Sequence, residues 1–165
     1  MKSSPTRLLF FSCLLTLTFL FFGCRVEKDD FLDASSIRKV AVWYVVDGDT
    51  IRLENKQYVR FLGVDTPEMT TKPPEKGAVA ATNFTKSKIG EYVWLEADGP
   101  DRDQYNRLLR YVWLREPVNP RDEKEIREYQ LNALLLEHKH AKTMMTNNIK
   151  NGPLLKKIEQ EAKKK

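Results

Sequence analysis

Cysteine is nearly absent from this chain, with only Cys13 and Cys24 among 165 residues. Cys13 lies inside an apolar leading run, so processing of that run leaves Cys24 as the one thiol and excludes an intramolecular disulfide. Histidine is equally scarce. Both copies fall in His138-Lys139-His140, at an expected helix end, and read as ordinary exposed residues rather than metal ligands. No internal repeat is visible. Neither sign of charge dominates: 28 Lys and Arg oppose 23 Asp and Glu, and the net charge of +5 drops by two to +3 when Lys2 and Arg7 are set aside. Such mild basicity is compatible with a polyanionic partner and diagnostic of none. The longest uncharged apolar run, Leu8–Phe22, has about 15 residues, short for a helix that spans a bilayer.

With Lys2 and Arg7 ahead of it, that run has the layout of a secretory signal. Gly23-Cys24 closes it, and polar sequence begins at Arg25. The junction resembles a bacterial lipoprotein signal, with Phe21 standing where leucine is usual. In that resemblance Cys24 is lipidated and becomes the mature N-terminus, residues 1–23 are the signal peptide, and residues 24–36 are a tether. It implies an exported protein of the cell envelope, held at a membrane through Cys24. Stable anchoring needs more than one acyl chain, which that modification supplies. An ordinary cleaved signal, giving a secreted protein, and an uncleaved anchor are the alternatives.

From Ile37 the texture changes. Val40–Val46 is a β-branched and aromatic run, Thr50–Leu53 alternates, and Tyr58–Val64 gives a third strand. Asp47-Gly48 and Asn55-Lys56 are the turns between them. Met69–Gly77, with Pro73, Pro74 and Gly77, is expected to be a loop. Ala78–Ile89 has helical spacing closed by Gly90 at a C-cap position. Tyr92–Glu96 and Leu108–Leu114 are two more strands, divided by a polar loop around Gly99 and Pro100. Asn119-Pro120 resembles a helix start, followed by Ile126, Leu131, Leu134, Leu135 and His138 at helical intervals. A last helix is expected around Leu154, Leu155, Ile158 and Ala162. The order predicts an α+β domain over residues 37–165: a five-stranded OB-fold barrel with about three helices.

Two acidic turns stand at the mouths of adjacent strands, Asp47-Gly48-Asp49-Thr50 and Asp65-Thr66-Pro67-Glu68. Hard divalent cations seek several oxygen ligands, and two such turns could converge on one ion. Each also has a structural reading, as a hairpin turn and as a capping box. Arg60 tips the balance, because a charge between Val59 and Phe61 costs free energy unless it faces a polar site. Arg107 ends the loop Asp101–Asn106. Guanidinium forks bind phosphate oxygens and stay charged, so carboxylates, a metal and two arginines suit phosphoryl displacement. Trp94 and Trp113 read as core or barrel-surface residues.

Val46–Ile51, Val59–Glu68 and Asp103–Arg107 resemble, in order and spacing, three motifs of the staphylococcal nuclease family. The similarity covers roughly Val40 to Ala141. It implies that Asp49 and Asp65 ligate Ca2+ through carboxylates and Thr66 through its carbonyl, with Asp47 just outside the ligands. It implies Glu68 as general base, Arg60 and Arg107 as clamps on the phosphate, and Tyr105 lining the nucleotide site. The implied activity is endonucleolytic hydrolysis of DNA or RNA to 3′-phosphate products by a monomer. The alternative is a noncatalytic OB-fold surface lipoprotein that binds nucleic acid or protein. Several positions depart from the family pattern. Asn106 and Lys139 replace usual glycines, Glu116–Tyr129 carries about twelve extra residues (judged from the family's spacing), and Met145 and Asn147 stand where aromatic residues flank the bound base.

Overall fold

The computed structural model describes residues 37–165, so the expected signal peptide, the lipidated Cys24 and the tether lie outside the described residues. Strands β1 (Ile37–Val45), β2 (Thr50–Leu53) and β3 (Tyr58–Phe61) form an antiparallel meander. After β4 (Val64–Asp65) and helix α1 (Ala78–Lys88) come β5 (Tyr92–Arg102) and β6 (Leu108–Trp113). Five of these strands close a barrel in the order β1-β2-β3-β6-β5, with β3 and β6 parallel. This is the expected OB-fold class.

Alternation decides which face of each strand is buried. Ile51, Leu53, Val59, Phe61, Val93 and Leu95 point into the core, where they meet Leu131, Leu135, Leu155 and Ile158 from the helices. Trp113 is fully buried, and Trp94 packs at the edge of the core. Among the described residues, no helix is long and apolar enough to cross a membrane.

The structure corrects four details. The third strand is split: Gly63 has φ 81, and a Cβ there would lie 2.8 Å from Leu155 Cδ1 and 2.9 Å from Ile149 Cδ1. The chain turns away, and β4 pairs instead with β7 (Lys142–Thr143), a strand with no signal in the sequence. The expected polar loop after Glu96 is largely strand, because Asp98 and Asp101 find partners on Tyr111 and Arg110 across the ladder. Gly90 does not cap α1; Ile89 does, in an extended conformation.

The fourth concerns the helix expected after Asn119-Pro120. It starts later and is two helices, α2 (Glu123–Tyr129) and α3 (Leu131–Glu137). Asp122 is the N-cap, accepting from the Glu125 N–H at 2.9 Å. Gln130 breaks the helical run because its extended backbone bridges to Trp113. With α4 (Gly152–Lys164) the described residues hold four α-helices rather than about three.

Candidate active site

The β1–β2 turn is built by close approach. A Cβ on Gly48 would fall 2.7 Å from Thr66 Oγ1 and 2.8 Å from Ala81 Cβ, so only glycine lets β4's end and α1 press against this turn. Thr85 Oγ1 donates to the Gly48 carbonyl at 2.6 Å and fixes the helix to it. Within the turn the Asp49 N–H donates to Asp47 Oδ1 at 3.1 Å. Asp47 is thus occupied in shaping the turn, while Asp49 points across to the second acidic segment.

There Asp49 Oδ2 accepts from the Thr66 N–H at 2.6 Å and from Thr66 Oγ1 at 2.9 Å, and Oδ1 accepts from Thr50 Oγ1 at 3.2 Å. Arg60, only 5% exposed, sits between the two turns. Its Nη1 lies 2.8 Å from Asp49 Oδ2, and its Nη2 donates to Asp65 Oδ1 at 2.8 Å. Nη1 also donates to the Val64 carbonyl at 2.8 Å. A guanidinium has five N–H donors, so the Nε–H and one Nη2–H of Arg60 remain available among the described residues. Asp65 Oδ2 meets Lys142 Nζ at 3.2 Å. Burial pushes the Asp49 carboxyl up to about 7; Arg60 opposes that rise, Asp47's charge adds to it, and the Thr66 donors oppose it.

Arg107 is placed by Asp103. Asp103 Oδ1 accepts the N–H groups of Tyr105 and Arg107 at 2.9 Å each, and Oδ2 takes Arg107 Nε at 2.7 Å. These donors hold the Asp103 carboxyl below its ordinary value against the opposing effect of burial, the largest single influence on it. Asn106 makes the intervening turn with φ 63, the left-handed conformation asparagine tolerates. Arg107 also lies 5.4 Å from the centre of the exposed Tyr105 ring. Its two Nη groups have no partner among the described residues.

Arg60, Asp65, Glu68, Tyr105, Arg107 and Met145 all line one groove of about 550 Å³. Glu68 is exposed there, its backbone pinned by reciprocal bonds with Glu75, whose carboxylate takes the Glu68 N–H at 3.0 Å and whose N–H donates to the Glu68 carbonyl at 3.0 Å. The sequence-predicted residues therefore fall in two tiers, Asp47, Asp49 and Thr66 buried behind Arg60, and Asp65, Glu68, Tyr105 and Arg107 along the groove wall. Met145 borders the groove at 60% exposure, whereas Asn147 is tied to Lys156 Nζ at 2.7 Å, away from it. His138 and His140 flank Phe84 and do not line this groove; His140 shares a smaller neighbouring cavity with Asp65 and Thr66.

Sequence reading missed Asp103, Thr85 and Lys142 as positioning residues, and Asn132 as well. Buried Asn132 accepts the Val112 N–H at 2.9 Å and donates to the Leu62 carbonyl at 2.8 Å, joining α3 to β6, which follows Arg107, and to the end of β3, which carries Arg60. The i,i+4 spacing of Asp103 and Arg107 was the one local signal.

Fold and groove together define an OB-fold domain with an acid–arginine centre at one end of its barrel. A family model described as "Staphylococcal nuclease homologue" matches residues 58–165, and the chain belongs to that family. It is similar to the thermonuclease of Staphylococcus intermedius, 43% identical over 76 residues, 42% of this chain and 45% of that protein. It is also similar to the thermonuclease of Staphylococcus hyicus, 41% identical over 76 residues with the same coverage. The matches span about half the length of these curated relatives.

Proposed function

We propose that this chain is a calcium-dependent phosphodiesterase that cuts DNA or RNA strands internally, as a monomer, and leaves 3′-phosphate ends. The observation that carries the reading is one groove lined at once by Arg60, Asp65, Glu68 and Arg107. Kinship with thermonucleases supports it.

The donor set fits a hard cation. It is all oxygen, and the carboxylates of Asp47, Asp49 and Asp65 outnumber the two cations beside them, Arg60 and the exposed Lys142. Asp49 and Asp65 would hold calcium through their carboxylates and Thr66 through its carbonyl, with Asp47 behind. Among the described residues no three His, Cys, Asp or Glu side chains gather as a metal cage; bound water would supply further oxygen ligands. When bound, calcium neutralises charge on the phosphate under attack.

The chain's own groups do the rest. Glu68, exposed on the groove wall, takes a proton from the attacking water. Arg60 offers its Nε–H and spare Nη2–H to the phosphate, held in place by Asp49 and Asp65. Arg107 brings two unengaged Nη groups on an arm braced by Asp103, and together they clamp the oxygens on which charge develops. Tyr105 covers the nucleotide beside Arg107. Export, with Cys24 lipidated at the envelope, belongs to the same proposal; mass spectrometry of the mature N-terminus should find acylated Cys24, and an unmodified terminus elsewhere discards it.

The test is incubation of the full chain with single-stranded DNA and calcium, then with a chelator. Chelator-sensitive cutting with 3′-phosphate ends is expected, and intact DNA sinks the reading. A second reading, a noncatalytic binding module, is favoured by Met145 where the family has an aromatic ring; oligonucleotide binding without cleavage would decide for it.

A further inference from the structure

The outer face of the β1–β2–β3 meander carries an aromatic cluster that the groove does not use. Trp43, Tyr44 and Tyr58 are among the exposed large hydrophobic residues, Trp43 at 59%. Strand alternation alone would send Trp43 and Tyr44 to opposite faces. The register of β1 against β2 shifts between Val42 and Tyr44, so Trp43 is the extra residue of a bulge and both rings face solvent. A bulge of this kind re-aims side chains.

Arg52 lies at the centre of the cluster. It is the cross-strand partner of both Tyr44 and Tyr58. Its guanidinium carbon is 4.6 Å from the Trp43 ring centre, 5.2 Å from Tyr58 and 6.0 Å from Tyr44. No carboxylate pairs with it among the described residues, and its Nε is buried with no hydrogen-bond partner. A hydrogen bond with Tyr58 first, and one with Arg52 next, hold the Tyr44 phenol below its ordinary value. A second aromatic pair nearby, Tyr92 and Trp94 under Lys39, differs in this respect: Glu91 and Glu54 act on Tyr92 and make that patch unsuited to an anion.

Within the cluster, Arg52 and Tyr58 lie on the two strands, β2 and β3, that pair at Arg60 of the candidate active site. Thr50 pairs with Arg60, and Arg52 with Tyr58, on the same strands. Residues two apart share a face, so Arg52 and Tyr58 lie about 7 Å along that face from Thr50 and Arg60. A polyanion held at Arg60 and extended along β2 and β3 meets next a cation flanked by three rings. Stacking rings beside a cationic track is the chemistry that binds single strands without reading sequence.

We propose that Trp43, Tyr44, Arg52 and Tyr58 form a second subsite, where the rings stack unpaired bases and Arg52 contacts a phosphate of a single-stranded nucleic acid whose scissile bond lies in the groove. The subsite rests on the phosphodiesterase reading for its substrate, and it predicts that long strands are gripped better than short ones. Both ends of the strand are then held on one rigid sheet.

The test uses the full chain in chelator, so that no cutting occurs, and measures binding of a fluorescent oligothymidylate of about twelve nucleotides, within the site sizes OB folds cover. The double variant Trp43→Ala/Tyr58→Ala should weaken binding by about tenfold or more, since one stacked base is worth roughly 5- to 150-fold. Arg52→Gln should flatten the salt dependence by about 0.7 in log–log slope, the share of one single-strand phosphate. With calcium restored, kcat/KM on the oligonucleotide should fall in both variants while that on a dinucleotide stays within about twofold, a spread far below one stacked base.

Unchanged oligonucleotide binding in both variants overturns the subsite, and so does an equal loss on long and short substrates, which marks a disturbed fold. A dimer that Trp43→Ala dissociates, with oligonucleotide affinity unmoved, assigns the face to a second copy and also overturns it. The two readings fail separately. A parent that cleaves while its variants bind like the parent loses only the subsite; a parent that binds through this face and cleaves nothing loses only the phosphodiesterase.

Discussion

Arg60 and Arg110 sit on neighbouring strands, β3 and β6, each buried among apolar residues and each facing carboxylates. Their surroundings differ in one respect. Arg110 donates to the Asp101 carboxylate and carbonyl and to the Leu109 carbonyl, and it is not among the residues that line the groove. Arg60 has donors left over and a groove in front of it. The same contrast holds for whole clusters. Near Arg110, Glu96 joins Trp113 and Arg121, while Asp98 Oδ2 takes the Tyr111 hydroxyl at 3.0 Å and the Lys150 N–H at 2.5 Å, so these carboxylates are spent on partners inside the protein. Around Arg60, two carboxylates share one cation, and Glu68 and Arg107 reach outward. Buried charge alone marks neither structure nor function; unfilled bonding capacity that opens on solvent marks function.

The largest expected effects separate the two clusters. Glu68→Gln keeps the side-chain shape and should lower cleavage by about 10²–10⁴-fold, the usual worth of general-base catalysis, with the melting temperature unmoved. Cutting at the parental rate would remove Glu68 from the mechanism. Glu96→Ala should behave in the opposite way. It leaves the Trp113 indole N–H without its 2.9 Å acceptor and Arg121 without its buried partner, and should cost about 3 kcal/mol of stability in urea titration. Cleavage by the protein that remains folded should equal the parent's. A large loss of rate in that variant at full folding would break the distinction between closed and open clusters.

This contrast also sets how far the sequence could be read. The barrel was legible because β-branched runs alternate with turns, as in Thr50–Leu53, and that signal is local. The length of β5 was not, since Asp98 and Asp101 look like loop residues until Tyr111 and Arg110 stand across from them. Nor was the break at Gln130, which depends on a bridge to Trp113. Arg60 was found because a charge stood in an apolar strand. The same rule selects Arg110, in Leu108-Leu109-Arg110-Tyr111-Val112, and only the fold tells the two apart. The bulge that exposes Trp43 left no mark in the sequence, because it consists only of a register shift.

A smaller effect tests whether the open cluster answers to a cation. Asp49's carboxyl is raised by burial from an ordinary 3.8 to about 7. Between those values the folded protein holds a proton that the unfolded chain has released. Its contribution to stability is therefore complete below pH 3.8 and lost as the pH rises through about 7. Above that, Asp49 is charged and its burial opposes folding until a cation offsets it. Saturating calcium should raise the melting temperature more at pH 8 than at pH 5, where the ion must displace a proton, as about RT ln(1 + [L]/Kd) requires. Equal shifts at both pH values would place calcium away from Asp49. The Glu96 cluster offers no such competition, and Glu96→Ala should leave the difference between the two pH values intact.

The smallest effect concerns how nearly complete the open cluster is without its ion. Lys142 Nζ lies 3.2 Å from Asp65 Oδ2, with the lysine 72% exposed and Asp65 partly so. Pairs of this kind contribute only about 0.2–1 kcal/mol, so Lys142→Ala should barely move the melting temperature. Asp65 Oδ1 stays fixed by Arg60 at 2.8 Å, so the carboxylate keeps its place. What changes is occupancy of Oδ2, which a cation must otherwise take from the lysine. Releasing that competitor should tighten calcium binding by roughly 1.4- to 5-fold, the same pair energy read as affinity. A calcium titration followed by protein fluorescence measures it directly. Weaker binding in the variant would mean that Lys142 orients Asp65 for the ion rather than competing with it, and the cluster would then be more nearly closed than its geometry implies.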